Sequence, residues 1–285
     1  MQLLQIDFLY RLFGSGDLDE SITLHEVKRL PPNRLAGLTY FFDIVGGVEF
    51  IFTLPGFWVP FVHWLWRIPT VLVGAGIISH EFEDRTWNTL RATPLTLHQI
   101  IMHKFLAVMR YMEPHFMLVV YIRAAPVVIF GISWLVSTIT VLPQQGFGYW
   151  ISTSIAFLFS GAYLLISPVL DTAFDAALSI LMSSFANRRA TALVMAMFAR
   201  IAGFLLPMAL VIPLEYGVFS NLTGLDFIQL RAIAVISTFG PAYAFLWGLG
   251  AWVSVLIVMV YTAIRLALIR LMLVGAEIQA NRVGQ

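Results

Sequence analysis

Long apolar stretches alternate with short polar ones along most of the chain. A membrane-spanning helix needs about 20 mostly apolar residues at about 1.5 Å rise each. Six stretches qualify, at 35–54, 58–79, 114–141, 150–183, 191–213 and 244–271. The pattern predicts an all-α integral membrane protein with six transmembrane helices. The fourth stretch covers about 50 Å as a helix, against a hydrocarbon core of about 30 Å. It must either extend past the membrane or break near Pro168. Across 105–141, Glu113 and His115 are expected to separate an interfacial helix from the third span.

Orientation follows from the placement of Lys and Arg, which favour the cytoplasmic side. With both termini inside, the inner segments hold Arg11, Lys28, Arg29, Arg34, Arg85, Arg91, Lys104, Arg188, Arg189, Arg265, Arg270 and Arg282, and the outer ones hold Arg231. The N-in/C-in arrangement divides the chain into a cytoplasmic N-terminal segment, 1–34, a six-helix domain, 35–273, and a cytoplasmic tail, 274–285. Pro31 and Pro32 stop any helix before the first span. An outer segment runs from Glu215 to Tyr243, and a cytoplasmic connection between helices 2 and 3 runs over 80–104. Acidic and basic residues in the first 34 positions argue against a cleavable leader.

Composition supports the membrane reading. The 285 residues are 59% hydrophobic and 12% charged, where soluble domains carry about 25% charged residues. Disorder is excluded on the same ground. A net charge of +1 with no basic stripe argues against nucleic-acid binding. The absence of cysteine excludes disulfides, thiolate metal sites and cysteine nucleophiles. There is no GxxxxGK[ST] loop, no His-Glu-x-x-His helix and no Gly-x-Ser-x-Gly elbow. No cofactor is therefore expected in this chain, and no catalytic residue.

The connection carries the most information. Acidic residues crowd its start, where they suit a helix N-terminus. Phe82, Trp87 and Leu90 recur at spacings that give a short helix one apolar side. Thr93-Pro94 ends that element, and Thr96 to Gln99 fits a capping box. The prediction is two short helices with a sharp turn between them at the membrane surface. Their apolar side, exposed to water, suits either a docking surface for another protein or a helix lying in the lipid interface. An ordinary polar loop is the plain alternative, but a loop has no need of Trp87 and Leu90 exposed to water, nor of two capped elements.

The run Glu81-Phe-Glu-Asp-Arg-Thr86, then Leu90, Ala92-Thr-Pro-Leu95, Ile100 and Lys104, resembles the signature of permease subunits of type-2 ATP-binding-cassette (ABC) exporters. That signature has an acidic pair, Gly-Thr, a leucine run, a Thr-Pro-Leu-Ser-like turn and a Lys before the third span. A weaker likeness covers Ala177 to Ala190, similar to the small-residue and serine stretch with basic residues that ends the family's fourth span. One departure is plain: Arg85 stands where the family usually has glycine, which alone adopts positive φ freely. The resemblance implies that the connection is a coupling helix seated in a cleft of a separate ABC ATPase subunit. It implies that Glu81, Glu83, Thr86, Leu90, Thr93 and Pro94 belong to the transmission region. It further implies a second permease subunit, as homodimer or heterodimer, in a plasma (cell inner) membrane, with ATP and Mg bound by the partner ATPase. Trp87 adds a candidate aromatic anchor.

Charges also fall within the predicted spans: Asp43, Glu49, Arg67, Arg123, Asp171, Asp175 and Arg200. Facing lipid would be costly for each. Asp171 and Asp175 lie four apart, on one helix face. Asp43, Asp171, Asp175 and Arg200 are candidates for a polar path or proton relay. The competing and favoured reading is structural pairing, such as an aspartate with Arg200. An aspartate pair without a third ligand falls short of a metal site, and Asp171-x-x-x-Asp175 lacks the further elements of a membrane transferase. The alternatives to an exporter subunit are an ion-coupled secondary transporter using these carboxylates and a non-transporting membrane anchor subunit.

Overall fold

A computed structural model describes residues 20–30, 40, 41, 44, 67–215 and 250–283. The described residues are about 90% helical, with no strand among them. The helices are α1 (Glu20–Arg29), α2 (Ile68–Ala75), α3 (Ser79–Glu83), α4 (Trp87–Arg91), α5 (Leu97–Gln145), α6 (Phe147–Phe185), α7 (Arg189–Glu215) and α8 (Ala251–Val283). Among the described residues three segments are long and apolar enough to cross a membrane: Leu97–Val136, Phe147–Phe185 and Ala251–Arg282. The predicted first span, apart from residues 40, 41 and 44, and the outer segment beyond Glu215 lie outside the described residues, as do Asp43 and Glu49.

Helix α6 is the hub, packing against α8, α5, α2 and α7. It is unbroken through Pro168, so the break expected there as one of two outcomes is not seen. Proline has no N–H to offer the Leu164 carbonyl one turn back. The Ser167 hydroxyl donates to that carbonyl instead, at 3.2 Å, and Thr172 Oγ1 donates to the Pro168 carbonyl at 2.7 Å. Freed backbone groups in spanning helices are commonly satisfied in this way. The expected separation at Glu113 and His115 is likewise not seen. Helix α5 runs through both, and Glu113 turns back to Arg110 at 3.4 Å. A single glycine, Gly146, joins α5 to α6 at φ +80, a backbone state that favours glycine. Helix α8 continues through the residues assigned to a separate tail.

The main core lies at one end of the bundle, around the connection. Ile77, Ile78, Ile100, Phe105, Met109, Ile180 and Leu273 are buried together there. Farther along α5, Ile129, Ile132 and Leu135 are exposed, as are Val194 and Phe198 on α7 and Leu256 and Met259 on α8. Apolar side chains this exposed over helices this long face a lipid-like environment at little cost.

Candidate functional site

The connection folds as a chain of local stops. After α3, the Thr86 N–H reaches the Glu81 carbonyl at 3.0 Å and the Arg85 N–H reaches the Phe82 carbonyl at 3.2 Å. This nested pair defines a helix C-terminus whose next residue is left-handed. Arg85 is that residue, with φ 58, the single non-glycine residue at positive φ among those described. The position at which the resembling family usually carries glycine therefore has the backbone glycine prefers, held here by arginine. Helix α4 follows and closes at Thr93, whose hydroxyl donates to the Leu90 carbonyl at 2.6 Å. The capping box then forms in both directions: Thr96 N–H to Gln99 Oε1 at 2.8 Å, and Gln99 N–H to Thr96 Oγ1 at 3.2 Å.

The apolar side of these helices faces inward, which corrects the exposed face expected from the sequence. Trp87 is 3% exposed and packs edge-on against Phe82, with ring centroids 5.0 Å apart. Leu90 and Phe82 are half-buried on the same core. Burying an indole removes far more apolar surface from water than a short helix can leave exposed without loss. Trp87 is thus a foot planted in the bundle rather than an anchor held out to a partner. The exposed surface of the connection includes Glu83, Asp84, Arg85, Asn88, Thr89, Arg91, Thr93 and Pro94, and is mostly polar.

Glu81, expected at the acidic start, is buried within an ion cluster. Lys104 Nζ lies 3.0 Å from Glu81 Oε1 and 3.2 Å from Glu26 Oε2. Arg29 reaches the same Glu81 oxygen at 3.2 Å, and the Thr86 hydroxyl donates to Oε2. Burial, the largest single influence, pushes the Glu81 carboxyl up, but Lys104, the Thr86 hydroxyl and Arg29 together hold it below its ordinary range. Helix α1 is tied to α5 again by Thr23, whose hydroxyl sits 2.9 Å from His103 Nδ1. The roles of Glu26, Arg29, Thr23 and His103 were not foreseen, because nothing local in 1–34 marks it as packing on α5. A cavity of about 90 Å³ opens beside this cluster, lined in part by Arg29, Gly76, Lys104 and Arg189.

The two stretches that resemble the exporter signature, about a hundred residues apart, meet in space. The Ser183 hydroxyl accepts from the Ile78 N–H at 3.1 Å and the Ser79 N–H at 2.9 Å, the orphan donors where α3 begins. The Glu83 carboxylate in turn accepts from the Arg189 N–H at 3.1 Å, at the start of α7, where a negative charge suits the helix dipole. Gly74 lets α2 approach α6 so closely that a Cβ there would lie 2.8 Å from Ser179 Cβ. On its other flank the connection meets α8, through His98 to Glu277 at 3.2 Å and Arg91 to Asn281 at 3.4 Å.

Deeper in the bundle, Asp171 and Asp175 are brought together with arginines from α7, α8 and the residue preceding α2. Arg67 Nε donates to Asp175 Oδ2 at 2.7 Å, and Arg67 lies 3.5 Å from Asp171 Oδ1. Arg200 sits 3.3 Å from Asp175, and Arg265 sits 3.2 Å from Asp171 while stacking over Phe174 and Tyr261. The pairing of Asp175 with Arg200 is the structural pairing considered from the sequence. Arg265 was assigned to the inner surface on charge alone; its place within an apolar run of α8 was the overlooked signal. Arg123, also within a predicted span, donates to Ser167 at 2.9 Å. Among the described residues no three His, Asp or Glu side chains cluster as metal ligands.

The geometry is that of a rigid surface element braced to α1, α5, α6, α7 and α8, with an ion-paired knot beneath it. The sequence matches no protein-family model and no curated protein.

Proposed function

We propose that this chain is the membrane-spanning permease subunit of an ATP-driven ABC exporter, with six spans, both termini inside and the connection 80–104 serving as the coupling element. The observation that carries the reading is the convergence of the two resembling stretches, joined by the Glu83–Arg189 bond and steadied by Ser183, which holds the residues just before the first stretch. A coupling element must move as one body with the helices it drives, so that each state of one subunit biases the other. The bonds from Ser183 of α6 to the start of α3 and from Glu83 to the start of α7 supply that rigidity. The left-handed backbone at Arg85 supports the same reading, because it gives a physical reason for the glycine usual there.

In this reading, Glu83, Asp84, Arg85, Asn88, Thr93 and Pro94 present the polar docking surface, while Glu81, Thr86, Trp87 and Leu90 hold it in place. ATP and Mg belong to the partner ATPase, and a second permease subunit completes the path. The guanidiniums facing Asp171 and Asp175 favour a structural tie over a proton relay.

The test is purification of the chain from its native membranes in mild detergent, with mass spectrometry of what accompanies it. A near-stoichiometric soluble protein bearing a GxxxxGK[ST] loop is the expected result. Recovery of the chain alone, from membranes whose other complexes stay intact, overturns the proposal and turns attention to ion-coupled transport.

A further inference from the structure

Helix α8 is longer than a membrane requires. Its 33 residues span about 50 Å, against about 30 Å of hydrocarbon. Its last turns lie level with the charged connection, fixed there by Glu277 to His98 and Asn281 to Arg91. Yet apolar exposure does not stop there. Leu271 is 66% exposed, Val274 46% and Ile278 52%. Residues at the level of Glu81, Glu83, Asp84 and Arg91 are not in hydrocarbon, so lipid tails do not account for this end of the stripe.

The stripe has a period. Ile264, Ala267, Leu271, Val274 and Ile278 are all exposed and follow spacings of three and four, the seam of a coiled coil with these residues at the a and d positions. The opposite side, Ile269, Leu273, Ala276 and Ala280, is buried inside the chain. In that register Glu277 is a g residue and Arg282 the following e residue. Between two parallel helices, g and the next e face each other across the seam. Copies of one protein inserted in one membrane share an orientation, so their α8 helices are parallel by necessity. Each Glu277 then meets the partner copy's Arg282. Glu277 approaches His98 through Oε2, and the carboxylate has a second oxygen to offer.

We infer that the exposed stripe of α8 is the seam through which a second copy of this chain pairs, in register and in parallel. The inference rests on the paired-subunit part of the proposed function, names the face used, and makes the pair a homodimer. A seam this short is weak in water, but confinement to one membrane raises the effective concentration of the two helices.

The chain contains no cysteine, so single thiols report cleanly. Val274→Cys and Ile278→Cys are made in the full chain, with Val194→Cys as an apolar and more exposed control on α7. Native membranes are oxidised with copper-phenanthroline, and the covalent dimer is measured per inserted chain. The seam predicts roughly ten-fold or more dimer at 274 and 278 than at 194, since thiols held face to face meet far more often than by collision. Glu277→Arg added to Val274→Cys should cut the yield, and Arg282→Glu added to both should restore it. Yields at 274 and 278 no higher than at 194 overturn the seam, as does an adduct with a different protein. Strong coupling at 194 alone keeps a pair of subunits and discards this face. A single-copy mass with no coupling anywhere discards the paired reading as well.

Discussion

The Glu81–Lys104 cluster and the Asp175–Arg67 cluster use the same side-chain chemistry in different settings. The first joins α1, α3 and α5, and one of its members, Arg29, is half exposed to water. The second joins α6 to α7, α8 and the residue preceding α2, with Arg67 and Asp175 almost wholly buried. The first therefore retains a route for exchange with solvent, and the second does not. Breaking a buried pair leaves a charge with no water to replace its partner, whereas a half-exposed pair is screened. The deep cluster fixes which helices lie together, and the shallow one sets how the connection sits on them.

The largest effect is expected at the deep cluster. Asp175→Ala strips Arg67 and Arg200 of their shared carboxylate and should cost about 3–5 kcal/mol, read as a lowered midpoint of thermal unfolding in detergent. A loss within experimental scatter would place that cluster in contact with water. Trp87→Ala comes next, at about 3–5 kcal/mol if the cavity stays open and less if Phe82 and Leu90 close over it. Trp87→Phe should recover much of it.

The shallow cluster should respond to Lys104→Met by a loss of about 1–3 kcal/mol, tempered because Arg29 still faces Glu81. It also gives a pH signature. The Glu81 carboxyl is held below its ordinary value of 4.5, so its contribution is fully present above that value and is lost as pH falls through the folded-state value. Glu81→Gln should flatten the loss of stability on acidification below about pH 4.5. An unchanged acid limb would mean that Glu81 is not the group that titrates.

The smallest effect is expected at Arg85. Arg85→Gly relieves a left-handed side chain but adds unfolded-state entropy, for a net change of about 0–1 kcal/mol in favour of folding. Arg85→Val, a branched residue at positive φ, should lose about 1–2 kcal/mol. Equal stability for the two variants would contradict the turn geometry.

These comparisons also show what the sequence could carry. Residues that act on their near neighbours were legible: the Thr96–Gln99 capping box and the stop at Thr93-Pro94. The turn at Arg85 was not, because arginine at that position argues against the positive φ it adopts. Asp175 and Arg200 were readable as a pair because burial leaves charged side chains few options. What was not legible depends on which way an element faces. The spacing of Phe82, Trp87 and Leu90 marks one apolar side but not whether that side meets water or the bundle. Lys104 looked like the last charge before a span, and only packing of α1 onto α5 makes it the centre of a buried cluster. Pro168 signalled a break that the Ser167 hydroxyl averts, a contact that turns on a side-chain rotamer.

The central claim is that the polar surface of the connection meets an ATPase. It is tested most directly by a photo-activatable side chain placed at Asn88, which is exposed on that surface, followed by irradiation in native membranes and mass spectrometry of the adduct. The account predicts a covalent adduct with a soluble protein that carries a GxxxxGK[ST] loop, lost when the photoprobe is moved to Val194 on the apolar outer face. Adducts with lipid alone at Asn88, in membranes where the chain is inserted and folded, would contradict it.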